Sequence, residues 1–213
     1  MAKTRADLAA KIADDLARGD LTTQIDDAIE FSIRRYERER FWFNDQDNIS
    51  VTLSSSVSQL ALSDLPVKVF QIDRVRILLS SNTLLDLYPR DRNWIAARQD
   101  INLSSMPVEY CVYDEALQFD SLADQNYTLV LDGVVGLGNT TASNSYSAAS
   151  PAIWFNEARD LIRADAKRDL YANVIKDFEF AARMNEVAQY EYSQLKARTN
   201  RIRMTGQVRP TRF

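Results

Sequence analysis

Histidine is missing from all 213 residues, and cysteine occurs once, at Cys111. Without an imidazole there is no Ser-His or Cys-His nucleophilic pair, and the commonest ligand of catalytic zinc is gone. A single cysteine forms no internal disulfide and no cysteine-rich metal site. Long hydrophobic runs are missing as well. No window approaches the roughly 20 apolar residues of a membrane span, and the opening MAKTRADLAAKIADD has no apolar signal core, so cytoplasmic synthesis and no membrane partner are expected. Acids are missing from one end: beyond Tyr192 stand Lys196, Arg198, Arg201, Arg203, Arg209 and Arg212 with no Asp or Glu. The net charge of −4 therefore divides into −10 before Tyr192 and +6 after it. An acidic body with a basic end suits pairing with copies of itself, with an acidic partner or with nucleic acid.

What is present is ordinary for a globular chain: 46% hydrophobic and 26% charged residues, enough to bury a sizeable core as one domain or as a body with an insertion. The stretch from Pro151 to Arg198 dominates. Trp154, Ala158, Leu161, Ile162, Ala166, Leu170, Tyr171, Val174 and Ile175 recur at threes and fours, as do Phe180, Ala181, Met184, Val187, Ala188, Tyr192 and Leu195. That period predicts two long amphipathic helices, with Pro151 at a start and Asp177 capping a restart. The stripes read as bundle core rather than as a cofactor slot, and no cofactor is expected.

At the other end, Thr4 with Asp7 reads as a capping box for a helix ended by Gly19, and Thr23 with Asp26 as a second box opening a longer helix through Tyr36. Phe41-Trp42-Phe43 cannot share one helical face and reads as the start of an extended segment plugging a junction. From Ile49 to about Gly138 the period changes to two, apart from a short helix within Pro89–Gln99 carrying Trp94 and Ile95. The expected fold class is α+β: a helical bundle of about four helices, two from residues 1–44 and two long ones from 151–198. A β-rich insertion over 45–138, a Ser/Thr/Asn-rich loop over 139–150 and an extended basic tail over 199–213 complete it.

Chemistry-bearing patterns are sparse. Gly133, Gly136 and Gly138 reverse the dinucleotide spacing and precede a loop rather than a helix, so a flexible strand exit is preferred to phosphate binding. Glu37 with Glu39, or Asp45 with Asp47, beside the aromatics could form a glycosidase dyad, and solvated charges explain them equally well. Asp165 and Asp169, one helical turn apart, are expected to pair with arginines rather than bind a metal. The basic end lacks interleaved aromatics, which disfavours nucleic-acid readout; arginine forks meeting carboxylates on a neighbouring protein, anchored by Phe213, fit better.

Several segments resemble a known family. Asp20-Leu21-Thr22-Thr23-Gln24-Ile25, Ile29 and Arg34-Arg35-Tyr36-Glu37-Arg38-Glu39-Arg40-Phe41-Trp42-Phe43-Asn44 look like the N-terminal half of the head-to-tail adaptor proteins of short-tailed phages. Met106-Pro107-Val108-Glu109-Tyr110, Leu117-Gln118-Phe119 and Tyr127-Thr128-Leu129 are similar to that family's middle region, and Gly206-Gln207-Val208-Arg209-Pro210-Thr211-Arg212-Phe213 to its ending. The resemblance implies a non-enzymatic structural protein of the virion, at the head–tail junction, assembled in the host cytoplasm. Copies would form a dodecameric ring under the portal protein, support the tail proteins, and let genomic DNA pass through the channel without sequence-specific binding. It also implies portal binding by the C-terminal tail through Arg201, Arg203, Val208, Arg209, Pro210, Arg212 and Phe213, with no catalytic or metal-binding residue. Some relatives are credited with peptidoglycan hydrolysis, which keeps a tail-associated glycosidase as the alternative.

Overall fold

The structure, a computed structural model, describes residues 4–80, 83–99, 103–137 and 153–204. In chain order these form α1 (Arg5–Leu16), α2 (Thr22–Tyr36), β1 (Asp45–Leu53), β2 (Gln59–Ala61), β3 (Val69–Ser80), β4 (Thr83–Asp86) and β5 (Tyr88–Pro89). Then come α3 (Arg92–Gln99), β6 (Glu109–Tyr113), β7 (Ala116–Phe119), β8 (Tyr127–Val135), α4 (Ile153–Glu157), α5 (Arg159–Leu170) and α6 (Phe178–Met204). The described residues divide into two compact units, one from Asp45 to Gly136 and the other from the chain on both sides of it.

The helical unit joins the two ends of the chain. Leu8 and Ile12 of α1, Ile25, Ile29 and Ile33 of α2, and Leu161, Ile162, Ala166 and Leu170 of α5 are withdrawn from water in one cluster. Helix α1 starts with a formed capping box: Asp7 N–H donates to Thr4 Oγ1 at 3.1 Å and Thr4 N–H to Asp7 Oδ2 at 2.9 Å. It ends before Gly19, because Ala17 takes the left-handed conformation (φ 50°) and lets Arg18 N–H reach the Ala13 carbonyl. The second expected box does not form. Helix α2 begins at Thr22 after a buried Leu21, and Asp26 is drawn instead to Arg5 Nε at 3.3 Å.

The aromatic triplet is a tight turn, not an extended start. Buried Asn44 accepts from Phe41 N–H at 2.7 Å and donates through Nδ2 to the Glu37 and Glu39 carbonyls, closing the loop on itself. Phe41 and Phe43 thereby stack on each other at 5.3 Å and meet Trp154 edge-on at 6.0 and 5.1 Å.

The four-helix expectation needs correcting. The described residues contain six α-helices, one of them in the other unit, and two four-stranded sheets, a mixed architecture rather than a four-helix bundle with an extended tail. The stretch read as a first long helix is broken at Ala158 into α4 and α5. It then widens into a π-helical turn at Tyr171–Ile175 and stops at Lys176, whose φ is 64°. Asp177 Oδ1 caps the restart by accepting from Phe180 N–H at 3.1 Å. Helix α6 then continues through Thr199–Met204, the start of the supposed extended tail. Residues 205–213, the loop 139–150 and Pro151 lie outside the described residues.

The other unit holds two sheets, ordered β1-β8-β3-β4 and β2-β7-β6-β5, with antiparallel pairing everywhere except between β5 and β6. Val75 and Ile77 on β3 and Leu129 and Leu131 on β8, which pair across the ladder, are buried in its core. Strand β1 bulges between Gln46 and Ile49, where Asn48 takes φ 63° and its N–H donates to Asp132 Oδ1 at 2.9 Å. Strand β3 is irregular between Val69 and Arg74, which presses its backbone against Gly133. A Cβ at Gly133 would lie 2.0 Å from the Gln71 carbonyl oxygen. Gly133→Ala should therefore destabilise the chain by about 3 kcal/mol, the upper range for overpacking, as read from the urea unfolding midpoint.

Candidate functional site

The C-terminal end of α6 is clamped to the turn that carries the aromatic triplet. Lys196 Nζ donates to Glu39 Oε2 at 2.6 Å and to the Arg40 carbonyl at 3.3 Å, and Tyr192 Oη donates to the same Glu39 oxygen at 2.9 Å. Two residues further, Arg198 pairs with Glu157 at 2.9 Å and lies over the Trp42 ring at 5.0 Å. Buried Thr199 completes the clamp, accepting from Trp42 N–H at 3.2 Å and donating to the Leu195 carbonyl at 2.8 Å. Beyond Thr199, Arg201, Ile202 and Arg203 are exposed on the last turn. Arg201 also borders a polar cleft of about 340 Å³ between α6 and the start of α5, where Asp160, Glu191 and Arg198 meet. Burial, followed by the charge on Asp160, pushes the Glu191 carboxyl above its ordinary range.

Of the expected portal-binding residues, Arg201 and Arg203 therefore share one exposed helical turn, while Val208, Arg209, Pro210, Arg212 and Phe213 lie outside the described residues. Lys196 and Arg198 enter from sequence only as members of the basic end, and Thr199 only as the start of the expected tail. Their signal is a helical spacing of basic and hydroxyl side chains just beyond the apolar stripe, which reads equally well as solvated surface.

The remaining chemical candidates have structural occupations. Asp165 is fully buried and accepts from Arg35, from Arg168 at 2.7 Å and from the Tyr36 hydroxyl at 3.3 Å, and Asp169 is tied to the same two arginines. Burial raises the Asp165 carboxyl, and Arg35 works against that rise. Burial first, then the Asp165 charge, raises the Tyr36 phenol. Both aspartates are thus engaged by guanidinium groups, the pairing expected of them. Glu37 is buried, and Glu39 is held below its usual range by Lys196 first and Tyr192 second. Asp45 and Asp47 belong to β1 of the other unit. Gly133 and Gly136 serve close packing against β3 and the Phe70 ring, and Gly138 lies outside the described residues. No protein-family model matches the chain, and no curated protein matches it.

Two stability effects follow. Asp165→Ala should cost about 3 kcal/mol in urea unfolding, because it leaves Arg35, Arg168 and the Tyr36 hydroxyl facing an emptied site. Glu39→Gln should cost only about 0.5 kcal/mol at neutral pH, since the Glu39 carboxylate is 44% exposed and solvent weakens the pair. The folded pKa of Glu39 is lowered, so its contribution is complete above the ordinary 4.5 and disappears as pH falls through the folded value. The difference between wild type and Glu39→Gln should accordingly vanish in acid.

Proposed function

We propose that this chain is a structural head-to-tail adaptor of a phage virion. Its copies form a ring that binds the portal through the C-terminal end of the chain and carries the tail proteins around the DNA channel. The observation that supports this most is the construction of α6. It is pinned to the body as far as Thr199 by Glu39, Trp42 and Glu157, and then carries Arg201 and Arg203 into the segment Gly206–Phe213 that resembles the adaptor ending. A helix clamped along one side and basic at its end is a rigid stalk that delivers cations to an acidic acceptor. The outward side of α6 adds exposed Phe180, Val187 and Tyr190, an apolar ridge suited to lateral contact between copies.

The glycosidase alternative lacks comparable support. A general acid needs a raised pKa, whereas Glu39 is held in its ionised form by a lysine and a tyrosine.

Because Thr199 is buried and doubly hydrogen-bonded, the informative truncation ends at Met204 rather than at Arg198. A chain lacking residues 205–213 should keep its thermal midpoint and lose co-sedimentation with purified portal rings. Undiminished co-sedimentation would remove the portal-binding role from that segment.

A further inference from the structure

In the unit from Asp45 to Gly136, arginines and exposed aromatic rings gather on the side of the smaller sheet that α3 covers, Arg92 with Tyr113 on one flank of the helix and Arg90, Trp94 and Arg98 on the other. Tyr88 is 63% exposed, Trp94 45% and Tyr113 41%, although the protein has ample core in which to bury aromatics. Tyr88 pairs directly with Glu109 across the parallel β5–β6 ladder, and Tyr113 lies four residues further along β6, so all three share a sheet face. Helix α3 packs on that strand and seals its inner side with buried Ile95.

Glu109 organises the cluster. Its Oε2 accepts the Trp94 indole N–H at 2.6 Å and its Oε1 accepts Arg90 Nε at 2.8 Å, so one largely buried carboxylate sets the orientation of both. Arg90 and Arg98 lie over the Trp94 ring, each at 5.5 Å, and Arg92 lies over the Tyr113 ring at 3.7 Å. A guanidinium over an aromatic face can still offer its N–H edges to an acceptor. Arg90 uses one edge on Glu109, whereas Arg92 and Arg98 form no ion pair or hydrogen bond among the described residues.

We propose that this face docks an acidic segment of a partner protein, with Arg92 and Arg98 receiving its carboxylates and Tyr88, Trp94 and Tyr113 packing against its backbone and side-chain stems. Three observations choose this occupant. Among the described residues Arg92 and Arg98 close no ion pair, Arg98 acting on Glu109 only at a distance, and a carboxylate-bearing chain supplies direct partners. Tyr, Trp and Arg together make up the residue set in which protein-interface energy concentrates. Single-stranded nucleic acid needs open ring faces for its bases, and guanidinium groups already lie over the faces of Trp94 and Tyr113, whereas side-chain stems pack against ring edges as well. The inference concerns a unit separate from the α6 stalk and does not rest on the portal-binding reading.

The test uses the full chain and a resonance inside the patch, so that binding at the basic end goes unread. The Trp94 indole N–H signal, assigned by its loss in Trp94→Phe, should shift saturably when a short oligoglutamate peptide is titrated at neutral pH. Arg92→Gln with Arg98→Gln should weaken that titration about tenfold or more, and Arg92→Lys with Arg98→Lys should weaken it too, because an ammonium keeps the charge and loses the stacked fork. An oligothymidylate of equal charge should move the signal at least about tenfold less readily. An unmoved indole signal, an unchanged response in the double Gln variant, or a stronger response to oligothymidylate would each overturn the proposal.

Discussion

A carboxylate with no access to water has to be met by cations and donors, and Asp165 is such a carboxylate. Helix α2 supplies Arg35 and Tyr36, and α5 itself supplies Arg168, so the register of α2 against α5 is set by the need to satisfy one buried charge. The partners are about 130 residues apart in the chain, with the whole Asp45–Gly136 unit between them. Hydrophobic burial holds the two ends together without direction; the ion pair and the Phe41–Phe43–Trp154 contacts make one alignment better than its neighbours.

From that alignment the position of α6 follows. Once the aromatic triplet is folded back by Asn44, its backbone offers the Trp42 N–H, the Arg40 carbonyl and the Glu39 side chain to a passing helix, and α6 takes all three. Beyond this clamp the helix carries exposed Arg201 and Arg203 on its last turn. The same physics operates in the other unit, where Glu109 orients Trp94 and Arg90 and converts scattered surface residues into a shaped cationic face.

Local patterns carried much of the secondary structure. The Thr4–Asp7 box, the short helix around Trp94 and Ile95, and the Asp177 cap all depend on residues within a turn of each other, and each appears where the spacing put it. The misreadings have separate physical causes. Thr23–Asp26 has the spacing of a capping box, but Arg5 on a different helix takes the aspartate. Ala17, not Gly19, adopts the left-handed turn, because the α1 C-terminus closes wherever Arg18 can reach back to Ala13. The break at Ala158 and the π-helical turn after Leu170 leave the apolar period nearly intact, so periodicity alone reads straight through them.

What the sequence determined by itself is the chemistry that is excluded, the placement of charge toward one end and the switch from a period near 3.6 to a period of 2, since each is a property of composition or of neighbours in the chain. Only the tertiary structure decided that Thr199–Met204 continues a helix, that Glu39 receives Lys196 and Tyr192, and that Glu109 gathers Trp94 and Arg90 around itself. Those outcomes depend on which distant group reaches a donor or acceptor first when the chain is compact, and such partners leave no periodic trace along the chain.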